Sequence, residues 1–303
     1  MSDATRNPQL SVVIASLNGR PYIDACLQSL HNQTGSIRAE IIVADCIGTD
    51  VTNFVKASYP DVHLIEFGEP KSVPELRAAG LLVAKGDIAV ITEDHCIPAE
   101  NWYEALVASH AKHENVAIGG AVDNAATERR IDWAVYFCEY SSFISPVPDG
   151  IVHDLPGPNV SYKRAALDLM HDMLEDGYWE NFLHQRLEAT GHELRSDPTI
   201  VVWHKKHFTM SSFLSERFHY GRWFAGTRNE FSSPARRLYY LAFSPLLPPL
   251  IMYRLYKRVT SRGQHYGDFI RSLPYIAVFT LAWAVGEFVG YASGPGSSVM
   301  KLS

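Results

Sequence analysis

Four short apolar runs, rich in β-branched residues and each followed by a segment of helical periodicity, confine the first 125 residues to an α/β arrangement. Leu10 to Leu17 is the first run, and behind it Tyr22, Ile23, Cys26, Leu27 and Leu30 recur at helical spacing. Ile41-Ile42-Val43-Ala44 is the second and Val62 to Phe67 the third. Ser72-Val73-Pro74-Glu75 has the form of a capping box with Pro in the first turn, and opens a helix to about Lys85. Asp87 to Ile91 is the fourth run, followed by a helix over Ala99 to His113. Continuous apolarity marks strands covered on both faces, as in a parallel sheet. Right-handed crossovers then give a doubly wound sheet.

Strands in such a sheet present ligand-binding residues at their carboxyl ends. The fourth run leads into Glu93-Asp94-His95, two carboxylates and an imidazole that can hold a divalent cation against a phosphorylated substrate. Taken alone, the same triplet also suits a solvated loop. Further on, residues 126–156 lose periodicity and are rich in aromatics, Pro and Ser, which predicts an irregular, substrate-facing insertion. Regular structure resumes with Asn159 to Tyr162, a helix from Lys163, a second from about Tyr178 to Thr190, and a strand from Thr199 to Trp203.

The formal net charge of −6 conceals an asymmetry. Residues 1–202 hold 14 Lys and Arg against 29 Asp and Glu, whereas residues 203–303 hold 13 against 4. A basic, apolar, aromatic C-terminal third points to an anionic membrane leaflet. Its basic residues are interleaved with long apolar runs, which suits lipid better than nucleic acid, and no nucleic-acid partner is expected. The 4 cysteines show neither metal-ligand spacing nor a paired framework, so free thiols in a reducing compartment are expected. Met1 to Gln9 is a polar tail without the apolar core of a secretory signal.

Two apolar stretches follow residue 230. Leu238 to Tyr253 is broken by Pro245, Pro248 and Pro249 and is short for a span, while Leu273 to Ser293 is long enough and has Glu287 as its one charge. Basic clusters flank both sides of the first stretch, so a spanning hairpin would place positive charge on both faces, against the positive-inside tendency. A re-entrant or interfacial hairpin on the cytoplasmic face is the expectation, with two spans or a buried soluble helix pair as the other arrangements. Gly286, Gly290 and Gly294 have the small-xxx-small spacing that permits close helix packing.

The order of these segments resembles glycosyltransferase family 2, the inverting enzymes of GT-A fold, in its non-processive, membrane-associated form. The resemblance covers about residues 10–224 and rests on several matches in sequence order. Leu10 to Asn18 is similar to the family's SVVIPTYN strand, and Glu40 to Asp50 to its EIIVVDDGSTD segment. Glu93-Asp94-His95 stands at the DxD position, and Leu155 to Arg164 resembles the G-x-N-x-x-x-R segment. Trp179 to Arg186 resembles the E-D-x-x-L-x-x-R helix, and His219 to Trp223 the Q-x-x-R-W motif. His95 stands where the family has a carboxylate, Cys46 replaces its second Asp, and Trp179 replaces one acid of the ED pair.

The resemblance implies a GT-A domain over 10–230, after a tail of residues 1–9 and before a membrane-associating helical region over 231–303. It implies that Glu180 is the general base, with Trp179 and Asn159 toward the acceptor. Donor contacts fall on Ala15, Ser16, Asn18, Asp45, Arg77, Glu93, Asp94 and Arg222. Glu93, His95 and His204 are the candidate metal ligands, for Mn²⁺ in preference to Mg²⁺ because an imidazole suits the softer ion. The expected reaction moves one sugar from a nucleotide-diphosphate sugar to a hydroxyl on a lipid-linked or glycan acceptor at the membrane surface. A polyprenyl-phosphate glycosyl synthase and an inactive nucleotide-sugar-binding relative are the alternatives.

Overall fold

The computed structural model describes residues 7–229 and 232–302. Most of the expected N-terminal tail (residues 1–6) and the expected boundary at 230–231 therefore lie outside the described residues. The strands in chain order are β1 (Leu10–Ser16), β2 (Ala39–Asp45), β3 (His63–Glu66), β4 (Ile88–Glu93), β5 (Cys96–Pro98), β6 (Ala117–Asn124), β7 (Gly150–Val152), β8 (Val160–Lys163) and β9 (Leu194–His204). The helices begin with α1 (Arg20–His31), α2 (Thr49–Ser58), α3 (Val73–Val83), α4 (Trp102–Lys112), α5 (Arg130–Tyr140) and α6 (Arg164–Leu169). They continue with α7 (His171–Glu175), α8 (Glu180–Ala189), α9 (Met210–Arg228), α10 (Pro234–Phe243), α11 (Leu247–Arg262) and α12 (Tyr266–Ser293).

All the strands join one sheet of order β3-β2-β1-β4-β8-β6-β9-β5, with β7 on β9. Its first half, β3-β2-β1-β4, is parallel, as the βα alternation requires. Beyond β4 the pairing of β8 with its neighbours is antiparallel. Every residue of β1 is buried, which accounts for the apolar run Val12 to Ala15 at its middle. The capping box opening α3 forms, with Glu75 accepting from the Ser72 backbone N–H at 2.8 Å. Val13, Ile42 and Ile91 of the sheet meet Leu81, Leu183 and Leu187 of the helices in one apolar core.

Compactness divides the chain into one unit of residues 1–123 and 145–205, containing the sheet, and a second of 124–144 and 206–303. The segment 126–156 is not irregular throughout as the sequence suggests, for it contains α5 and β7. Ala134, Val135, Tyr136 and Phe137 are consecutive and all buried, so the middle of α5 shows no polar residue to reveal its period. Within the second unit they pack with Phe213, Phe269 and Phe279 in an aromatic core.

The glycine spacing of α12 serves close packing in that unit. A Cβ on Gly286 would lie 2.1 Å from the Phe218 carbonyl of α9, and one on Gly290 would lie 2.3 Å from that of Arg222. Reciprocally, a Cβ on Gly221 would lie 2.5 Å from the Trp283 carbonyl. Only hydrogen side chains let the two backbones approach so closely. Among the described residues α12 is the one helix long and apolar enough to cross a membrane, and 39% of its apolar window is buried.

Candidate active site

The parallel half of the sheet aligns three strand ends. Ala15 pairs in register with Glu93, and Ser16 with Asp45, so β1, β2 and β4 bring these residues to one edge. Asp45 Oδ2 accepts from the Gly48 N–H at 3.1 Å. Beyond each other, Asp45 Oδ1 and Ser16 Oγ are buried without a hydrogen-bond partner. Burial pushes the Asp45 carboxyl above its ordinary range, against the opposing effects of the Ser16 hydroxyl and the Gly48 and Ile47 N–H groups. Buried polar atoms left in this state are suited to a ligand that supplies the missing bonds.

The chain turns after β4, and the short antiparallel pairing of β5 with β9 sets Cys96 opposite His204. His95 and His204 thereby meet with their Nε2 atoms 3.0 Å apart. Glu93 Oε2 lies 3.0 Å from the same His95 nitrogen. On the other side of the ring, His95 Nδ1 lies 2.8 Å from Asp94 Oδ1. An Nδ1–H donated to that carboxylate leaves the Nε2 lone pair facing Glu93 and His204, the arrangement that orients a metal-binding imidazole. The ligand atoms of Glu93, His95 and His204 all fall within 4.8 Å of one another. Nitrogens separated by about 3 Å match neighbouring ligands on an ion with bonds of about 2.1 Å. The three side chains thus fit a divalent cation.

Arg77, 2% exposed on α3, extends this cluster to α8. Its Nη2 donates to Glu93 Oε1 and its Nη1 to Glu180 Oε2, each at 2.6 Å. The guanidinium carbon also sits 5.5 Å from the Trp179 ring centroid. Burial alone would raise the Glu93 carboxyl, but His95, Arg77 and His204 hold it far below the ordinary carboxylate range. Metal ligation would require both imidazoles to be neutral, and the cluster would then set the one Arg77 guanidinium against the Glu93, Asp94 and Glu180 carboxylates, an excess of negative charge that favours a cation.

Several of the expected donor and acceptor residues are also bonded within the protein. Asp94 is fully buried, and its Oδ2 accepts the N–H groups of Leu17 and Asn18 at 2.8 and 2.7 Å. Asn18 Nδ2 donates to Asp94 Oδ1 at 2.8 Å, so Asn18 and Asp94 tie the β1–α1 loop to His95. Asn159, expected toward the acceptor, is fully buried. Its Oδ1 accepts from Trp102 Nε1 at 2.9 Å and its Nδ2 donates to the carbonyls of Ala121 and Ile200. From the turn just before β8, Asn159 stitches β6 and β9 to α4, because a buried amide must satisfy its polar atoms. Arg77 is bonded to two carboxylates and stands between them. Arg222 lies in the second unit, where its Nε donates to the Gly294 carbonyl at 3.2 Å.

Gly157 belongs to the site although the sequence reading gave it no role of its own. A Cβ there would lie 2.9 Å from Arg77 Nη1 and 3.2 Å from Glu180 Oε2. The glycine of the G-x-N segment was the available signal. Gly157→Ala is expected to displace the Arg77–Glu180 pair and lower turnover at least tenfold, with little change in thermal stability. Full turnover in the folded variant would show that the pair's placement is unimportant.

The family model described as glycosyl transferase family 2 matches residues 11–169. No curated protein matches the chain in sequence. Among solved structures, the fold is similar to that of the mannosyltransferase PcManGT from Pyrobaculum calidifontis in complex with GDP-Man and Mn²⁺, with a TM-score of 0.57 at 17% identity over 94% of this chain and 88% of that one. GalNAc-T7 with UDP, GalNAc and Mn²⁺ gives a TM-score of 0.52 at 18% identity over 67% of this chain and 45% of that one. TarS residues 1–349 from S. aureus gives 0.51 at 13% identity over 92% and 90%. At these identities the likeness bears on the fold alone, which is GT-A.

Proposed function

The chain belongs to glycosyl transferase family 2, and from that premise we propose that it moves one sugar from a nucleotide-diphosphate sugar to a hydroxyl acceptor with inversion. The observation that carries this reading is the buried relay Glu180–Arg77–Glu93, which ties the candidate base to the candidate cation ligands through two 2.6 Å contacts. Inversion requires the acceptor oxygen to attack the anomeric carbon on the face opposite the departing diphosphate, while a carboxylate takes the hydroxyl proton. Glu180 is that carboxylate. Trp179, beside it at the start of α8, offers an apolar wall to the acceptor.

On the donor side, Ala15 keeps β1 slim where the nucleotide enters, and Ser16 and Asp45 accept or donate at the base. Glu93, His95 and His204 hold a divalent cation. That ion, when bound, neutralises charge on the diphosphate. Two imidazoles and one carboxylate favour Mn²⁺ over Mg²⁺, which prefers an all-oxygen shell. The solved relatives in complex with GDP-Man and Mn²⁺, and with UDP, GalNAc and Mn²⁺, support this reading of donor and ion. Arg222 is assigned to the diphosphate by its place in the motif, as a guanidinium suits phosphate oxygens.

The acceptor is lipid-linked or a glycan, and the enzyme works at the cytoplasmic face of a membrane. The basic and apolar composition of the C-terminal third supports that location. One observation favours a polyprenyl phosphate as acceptor instead: Glu180 is already paired with Arg77, and an anionic acceptor needs no base. Thermal unfolding with a panel of GDP- and UDP-sugars tests the donor assignment. One class is expected to stabilise the protein, and more strongly with Mn²⁺ than with Mg²⁺. Absence of stabilisation and of turnover with every donor would leave the inactive-relative reading in its place.

A further inference from the structure

The second unit carries an apolar surface that its own packing does not use. On α12, Val278, Leu281, Val285, Phe288 and Ala292 are exposed and spaced by three and four, so one apolar stripe faces outward along the helix up to the exposed Ser293 at its end. Leu281 is 56% exposed and Val285 47%. In a soluble helix this stripe would be polar. A second ladder, Tyr239, Phe243, Leu246, Leu250 and Tyr253, runs through α10 and α11 at the same spacing, and each member is exposed. Arg236, Arg254, Lys257 and Arg271 are exposed beside these ladders. Residues 232–302 hold 8 Lys and Arg against 2 Asp and Glu, which complements an anionic surface.

The inner side of α12 limits how such a surface can be used. The glycine contacts above fix α9 along its C-terminal half, and α9 carries Glu216, Arg217, His219, Arg222 and Arg228. Arg217 lies 4.3 Å from the Trp283 ring centroid, and Arg228 Nη1 donates to the Tyr291 hydroxyl at 3.3 Å. Toward the other end, Ser272 Oγ donates to the Arg130 carbonyl at the start of α5, and Phe269 meets Phe137 of that helix. If α12 crossed a bilayer, these charged companions would have to enter the hydrocarbon with it.

We infer that the second unit binds one anionic leaflet from a single side, with the outer stripe of α12 and the α10–α11 ladder immersed and no segment crossing. Lipid meets the apolar stripe, phosphate headgroups meet the basic residues, and tyrosines occupy the interface. The inference rests on the reading that the chain works at a membrane, and it adds the mode of attachment.

Sedimentation of the full chain with phosphatidylglycerol–phosphatidylcholine vesicles, and with phosphatidylcholine alone, tests the surface. At least tenfold stronger binding to the anionic vesicles is expected. Leu281→Asp with Val285→Asp should weaken it at least tenfold while circular dichroism and thermal unfolding stay unchanged. Tyr239→Ser with Leu250→Ser should weaken it as well, which covers the case in which the α12 variant fails to fold. Binding unaffected by both pairs, or no binding to either vesicle, would overturn the inference. So would a self-association abolished by these variants without any vesicle binding, since a second copy would then be the occupant.

Sidedness is read separately by a membrane-impermeant maleimide on Gln264→Cys and Ser297→Cys, each in a Cys46→Ser, Cys138→Ser background within host membranes. Both sites should label from the same face. Labelling from opposite faces would overturn attachment to one leaflet while leaving membrane association intact.

Discussion

Glu180→Gln is expected to reduce transfer to a hydroxyl acceptor by about 10²–10⁴-fold, the usual contribution of a positioned base. The amide keeps the size of the side chain, so the α8 start and its packing should persist. It cannot take a proton, and it gives Arg77 a neutral partner in place of a carboxylate. Donor binding, read by thermal shift, should change far less than turnover, because the proposed cation ligands Glu93, His95 and His204 do not include Glu180. Retention of full activity on a hydroxyl acceptor would remove Glu180 from the mechanism. Retention on a polyprenyl phosphate, with loss on hydroxyl acceptors, would assign the phosphate as the natural nucleophile.

The second large effect is expected from His204→Ala. Loss of one imidazole leaves Glu93 and His95 as a two-ligand set, and Mn²⁺ affinity should fall at least about 100-fold, beyond the 10–100-fold typical for removing an outer partner. Asp94→Asn is the comparison. It keeps the ligand set and perturbs the group that orients the His95 ring and accepts from the Leu17 and Asn18 N–H groups, so a smaller loss of metal affinity is expected. Metal-dependent stabilisation in the presence of a nucleoside diphosphate reports this independently of turnover. Mn²⁺ and Co²⁺ should exceed Mg²⁺ in the wild type. If a chelator and His204→Ala both leave transfer unchanged, the cluster is a hydrogen-bonded histidine pair and holds no ion.

Much of the first unit was legible in the sequence. The strands β1 to β4, the capping box at Ser72, and the acidic strand end at Glu93 all depend on local periodicity and turn chemistry. The helix α5 was hidden for a physical reason: four consecutive buried apolar residues at its middle, Ala134 to Phe137, blur the amphipathic period. Asn159 shows a second limit: a polar residue within a family-like motif reads as functional, and only the tertiary structure shows that, in the turn before β8, its carbonyl and its amide are bonded to β6 and α4.

By itself, the sequence determined the parallel α/β half, the placement of Glu93 at a strand end, and the basic apolar character of the C-terminal third. Those properties follow from near-neighbour patterns along the chain. Only the tertiary structure decided that His204, 109 residues from His95, supplies a facing nitrogen. It also decided that Arg77 joins Glu93 to Glu180, 16 and 103 residues away. Such pairings depend on which strand lies beside which and on helix placement over the sheet, and no local pattern encodes either. The glycine stripe of α12 shows both halves: its spacing permitted close packing, and the fold supplied α9 as the partner.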